Sequence, residues 1–527
     1  MSVMAKFIPY DYNQSSMVVI NFQDQIQTGT FEYALHHLIE HKLDLSPFSS
    51  VYKNDDNGRP AYDPALLLKV ILFAYSKGIT SSREIAWCCR TNIIFMALSC
   101  QSSPHFTTLA DFISGHCEAV ESLFEQVLLI CDEQGLLGHE LFAIDGCKMP
   151  SNAAKEHSGT HKELAKKRDK IKQLIRFHTK KHQQHDLMDD ETELEATLQA
   201  NRHKQAIETL DKAANRITHF LNNTEARMGK GKRISEVKSN ITDNESAKMT
   251  TSKGTIQGYN GIASVDKKHQ VIIDATAFGE GQEHHTLKPI MNGIKQRYKK
   301  LGISNDIYKD NIIVTADTGF ANEANMQYLH ENDINAYIPD NLFRSRDPKF
   351  KDQKKKHPRA SRAKGPSIKI TLSSKDFNFD PIKQSCICPA GQTLSHRGIR
   401  EDSSGNKHIY FIGRTTQCRN CNKKHHCMKN PRSADHGKGH GRQVSFLLNN
   451  KKVTHTDWMK HRVDSDKGKR IYSHRMSVVE PVFGNLEFNK KLTRFTLRGL
   501  KKINVQWKLF CLIQNIEKLA NYGELAA

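Results

Sequence analysis

The chain has 527 residues, 38% hydrophobic and 26% charged, and its lysines and arginines leave a formal net charge of +21. That length has material for two to four domains, and so large a cationic surplus attracts polyanions, usually nucleic acid or anionic membrane. No run of ~18 apolar residues exists to make a transmembrane helix, and the opening MSVMAKFIPYDYNQSS lacks the apolar core of a signal peptide, so a cytoplasmic location is expected, where the 12 cysteines are thiols or metal ligands rather than disulfides.

Residues 1–112 read as mostly helical. In DPALLLKVILFAYSKGITSSREIAWCC, Pro64 stands near a helix start, Gly78 breaks the run, and Ser81 to Glu84 look like a fresh N-cap. Two helices about a short turn suit a helix-turn-helix-like module, and a further helix runs to about Gln134. The segment HELFAIDGCKMPSN is a short apolar strand pattern ending on Asp145 and Gly146. From Ala154 to about Asn240, Lys, Glu, Gln and His recur at helical spacing, which predicts a hairpin of long polar helices inserted in a domain.

GYNGIASVDKKHQVIIDATAFG carries two period-two runs about the polar turn Asp266-Lys267-Lys268 and predicts a β-hairpin. A helix follows from about Thr286 to Leu301, then DNIIVTADTGF as a buried strand ending at Asp317, a helix over 322–332, and the strand INAYIPD. This order packs as a mixed sheet flanked by helices. Residues 341–470 form a second insert, with the basic stretches RSRDPKFKDQKKKHPRASRAKG and SADHGKGHGR around Cys386, Cys388, Cys418, Cys421 and Cys427. Helices from about Ser473 close the chain. The expected division is 1–135, an N-terminal helical DNA-binding domain; 136–340, the first part of a catalytic core with the helical insert 154–240; 341–470, the Cys-rich insert; and 471–527, C-terminal catalytic helices.

Two acids stand out. Asp145 and Asp317 each follow an apolar strand pattern and precede a Gly within two residues. Mg²⁺ takes hard oxygen ligands, and two such ions can clamp the attacking and leaving oxygens of a phosphodiester. Alone, each Asp is also ordinary turn chemistry. Glu480, in the helical run RIYSHRMSVVEPVFGNLEFNKK, is the candidate third carboxylate; Pro481 beside it lacks an N–H and should disturb the helix there. Among the cysteines, a tetrahedral Zn²⁺ site needs four ligands. Cys388, Cys418, Cys421 and Cys427 are the chosen set, with Cys386 as competitor.

AIDGCKM, VTADTGF and YSHRMSVVEPVFGN, together with NITDNESAKMTTSKGTIQGYNG, RFTLRGLKKINVQWKLFCLIQNIEKL and the cysteine insert, make the chain resemble the DDE transposases of bacterial insertion sequences, in the group numbered eleven-eighty-two. The likeness spans at least residues 60–520. It implies a ribonuclease-H-like α/β core with an N-terminal all-α domain. Asp145, Asp317 and Glu480 would be the catalytic triad holding two Mg²⁺ (or Mn²⁺) ions. The partners it implies are terminal inverted repeats and target DNA, with a homodimer in the synaptic complex. Tyr472 and Arg475 match the signature and would contact DNA phosphate. Related groups carry a Lys seven positions after the Glu; here that position is Glu487, and Lys490 or Lys491 would take the role. Two rival readings are a nuclease of the same fold without strand transfer and a DNA-binding protein without catalysis.

Overall fold

The computed structural model describes residues 20–49, 60–186, 193–230, 234–252, 254–350, 372–402, 405–436, 439–448 and 453–524. Most of the basic stretch beginning at Arg344 and part of SADHGKGHGR lie outside the described residues. The chain divides into two compact units. One is built from the described residues of Met1–Phe320, Glu331–Ile338 and Arg470–Ala527, the other from those of Ala321–His330 and Pro339–Lys469.

The first unit begins with helices. Pro64–Ser76 starts as its sequence asks: Asp63 accepts the Ala65 N–H at 2.7 Å, and Pro64 occupies the first turn, where no N–H is needed. Gly78, at φ +77°, turns the chain toward the helix Ser82–Thr91. Phe106–Gly115 and Cys117–Glu133 follow.

The sheet comes next. Its strands are β1 (Leu141–Pro150), β4 (Ala247–Thr251), β5 (Gly254–Asp266), β6 (Ile272–Phe278), β7 (Ile313–Ala316) and β8 (Ala336–Tyr337). Between β1 and β4, β2 (Ser158–Gly159) and β3 (Ser239–Asn240) pair with each other. They join the two ends of the helical insert His161–Asp186 and Glu193–Asn223, whose apolar contacts are Leu164, Ile217 and Phe220. The β5–β6 hairpin and the insert follow the periodicity. β1 does not stop at Asp145: β5 keeps pairing with it antiparallel as far as Pro150. What ends at Ile144 is the parallel pairing with β7.

β5 is the long central strand. Its first half pairs β4, its second half pairs β6, and its other edge pairs β1. β7 and β8 extend the sheet parallel to β1, after a crossover through the helix Leu287–Lys300. The C-terminal helix Leu500–Tyr522 packs on β6 and on Cys117–Glu133. Its Trp507 is fully buried and donates to the Ile262 carbonyl at 3.0 Å, and Phe510 stacks on Tyr75 of the N-terminal helices at 4.9 Å.

The second unit holds the antiparallel strands β9 (Asn378–Asp380), β10 (Ser385–Ile387), β11 (Thr393–Glu401), β12 (Lys407–Ile412) and β13 (Gln443–Leu447), in the order β13-β12-β11-β10-β9. Phe377, Cys386, Leu394, Ile409, Phe411 and Val444 form its core. Among the described residues no helix is long and apolar enough to cross a membrane.

Candidate active site

β1 and β7 run parallel through Ile144 and Ala316, so Asp145 and Asp317 are the next residue on each strand line. Local sequence cannot supply this neighbourhood; the register does. Asp145 Oδ1 accepts the Gly146 N–H at 2.8 Å, and its Oδ2 lies 2.6 Å from the Arg475 guanidinium. Asp317 Oδ1 accepts the Thr318 N–H at 2.6 Å. Burial pushes the Asp145 carboxyl up to about 6; Arg475 and the Gly146 N–H pull it down, while the charges of Asp317 and Glu283 push it up further.

Glu283 escaped the sequence reading. It lies just before the helix Leu287–Lys300, and Asn260 Nδ2 of β5 donates to it at 3.2 Å. Gly319 leaves room for it: a Cβ there would meet Glu283 Oε2 at 2.0 Å. Asn260 Oδ1 is fully buried without a donor. The visible signal was an acid in the polar run GEGQEHH, which reads as a loop. Glu283 also lines a cleft of about 710 Å³ with Gly146, Cys147, Phe483, Glu487 and Trp507.

The helix Asp466–Gly484 brings Arg475 into the site. Pro481 cannot donate to the Ser477 carbonyl, which instead accepts Gln270 Nε2 at 3.0 Å. One turn of π-helix, Asn485–Asn489, follows and carries Glu487. Glu480 is exposed on this helix. Tyr472 lies half-buried on the same helix. Two of the expected phosphate contacts are spent internally: Arg475 is 7% exposed against Asp145, and Lys490 is 6% exposed against Glu517. Lys491 is exposed, at φ +52°, with its stem over Gly78.

Among the described residues no three His, Cys, Asp or Glu side chains are grouped to hold a metal ion. The donor chemistry nevertheless fits a hard cation. The charges of Asp317 and Glu283 both bear on Asp145, and the orphaned Asn260 oxygen stands by Glu283 and Gly146.

In the second unit Cys388, Cys418, Cys421 and Cys427 line one small pocket. The Gln392 N–H points to Cys388 Sγ at 3.4 Å and the Arg442 N–H to Cys418 Sγ at 3.5 Å. Cys386 is instead fully buried in the sheet core.

A helical N-terminal region, a mixed sheet and carboxylates where the parallel pairing ends are consistent with a ribonuclease-H-like core of the DDE kind. The family comparisons are more particular: residues 387–520 match a family described as a transposase DDE domain, and residues 20–115 match one described as a transposase domain (DUF772). The first segment contains Cys388, Cys418, Cys421, Cys427, Tyr472, Arg475 and Glu480, while Asp145 and Asp317 lie outside both segments. The two matches support a DDE-type transposase. No curated protein and no solved structure matches the chain.

Proposed function

We propose that this chain is the transposase of an insertion sequence of the group numbered eleven-eighty-two, cutting DNA at the element's ends and joining the freed ends to a target. The observation that carries the reading is the register of β1 and β7, which sets Asp145 and Asp317 side by side far from one another in sequence. Asp145, Asp317 and Glu480 are the carboxylates toward Mg²⁺, with Glu283 as a neighbouring acid. Bound divalent metal in such a site activates the attacking oxygen and stabilises the leaving one.

The chain's own residues do the rest. Arg475 pairs with Asp145, and its planar donors are of the kind that also hold a phosphate. Tyr472, Lys490 and Lys491 are the remaining candidates for phosphate contact; Lys490 must first leave Glu517. The N-terminal helices bind the element's end, and two copies pair two ends. Cys388, Cys418, Cys421 and Cys427 would hold a Zn²⁺ ion, which would staple the second unit. A strand-transfer assay with the inverted repeats flanking the gene separates this reading from a nuclease of the same fold: joined products support it, and cleavage without joining supports the nuclease.

A further inference from the structure

Beyond Pro150, where β1 ends, the chain borders a cavity of about 840 Å³. Three guanidiniums line it: Arg216 from the helical insert, and Arg494 and Arg498 from the loop before the C-terminal helix. Asn152 positions two of them, its carbonyl accepting Arg498 Nε at 2.7 Å and its side-chain oxygen accepting Arg494 at 3.3 Å. Among the described residues none of the three is paired with a carboxylate, and Arg216 makes no side-chain hydrogen bond. All three are exposed, so their charges are unanswered around one concavity. His157 on the same wall feels the excess: burial first, then Lys167 and Arg216, hold it below the ordinary histidine range.

We propose that this cavity is a second DNA-backbone subsite, in which Arg216, Arg494 and Arg498 take consecutive phosphates of the strand that runs on from Asp145. The inference rests on reading the chain as an enzyme acting on DNA, and adds where the duplex is gripped. Five residue steps along the strand separate Asp145 from Pro150, or ~17 Å. That is about five phosphates of one strand of B-DNA, so one duplex reaches both places. Arginine suits the task, because its fork matches phosphate oxygens. The insert thereby gains a role: Arg216 is carried by a helix that otherwise packs on its own partner.

The salt dependence of binding counts the phosphates neutralised. Affinity of the full chain for a fluorescein-labelled, random-sequence DNA duplex is measured by anisotropy across a salt series. Arg216→Ala, whose side chain makes no hydrogen bond among the described residues, should lower the magnitude of the log–log slope by roughly 0.9, and the triple alanine variant by roughly 2.7. Lysine at all three positions should keep the slope. Unchanged slopes in both alanine variants overturn the subsite while leaving the proposed function standing. Failure of the unaltered chain to bind DNA overturns both.

Discussion

Asp145 is a charge kept in a poor place for charge. Burial and the neighbouring acids raise its carboxyl to about 6 from the ordinary 3.8. A folded value above the unfolded one means that this group favours the fold when protonated. That contribution is full below about pH 4 and is lost as pH rises through about 6. Two substitutions should then move the metal-free chain in opposite directions. Arg475→Met removes the counter-ion 2.6 Å away and should cost roughly 3 kcal/mol at pH 8. Asp317→Asn removes one source of repulsion and should gain about 1 kcal/mol there. Both effects should shrink at pH 5, where Asp145 is largely protonated; urea unfolding in EDTA at the two pH values reads them. Equal effects at both would show that Asp145 is not the group responsible. At this scale the sequence was partly legible. Asp145 and Asp317 stand out because each follows an apolar strand pattern. Glu283 does not, because its place beside Gly319 depends on β5 and on the chain between β6 and β7.

Elements hold the site through contacts that no local pattern announces. The outer edge of β6 is closed by two asparagines of the C-terminal helix. Asn515 accepts the Ile272 N–H and donates to the Ile272 carbonyl, both at 2.8 Å, and Asn504 does the same at Ala277, at 2.8 and 3.1 Å. The spacing explains the pair: eleven helical residues and five strand residues both span ~16 Å. A strand edge left open would pair with another chain. Asn515→Leu should destabilise by roughly 3 kcal/mol, because two buried backbone groups lose their partners, and Asn504→Ala, at a half-exposed position, by about 1 kcal/mol; denaturant melts check the order. Periodicity foretold the helix and the hairpin but not this clip, since both asparagines read as polar interruptions of an apolar face. Likewise the turn chemistry of Asp145 and Gly146 suggested a strand end, while β5 carries β1 onward. For the cysteine pocket, purified chain should hold one Zn²⁺, lost in Cys418→Ser and kept in Cys386→Ala, as measured by metal content. Zinc lost equally from both would contradict the chosen ligand set.

Over the whole molecule, the +21 charge is not spread as the implied phosphate contacts Arg475 and Lys490 suggested. Arg475 and Lys490 are turned inward against Asp145 and Glu517, and arginines with no carboxylate partner among the described residues gather instead beyond the end of β1. Composition alone suggests a polyanion partner; which cations could face one depends on tertiary pairing. The reading of this chain as a metal-dependent DNA transposase stands or falls on Asp317. The direct measurement is Mg²⁺-dependent cleavage of a DNA carrying the element's end, run beside a binding assay on the same DNA, for the unaltered chain and Asp317→Asn. The account predicts that the substitution cuts cleavage by at least about a hundredfold, roughly 2.7 kcal/mol of transition-state stabilisation, with DNA affinity nearly unchanged. Undiminished cleavage by Asp317→Asn would contradict it.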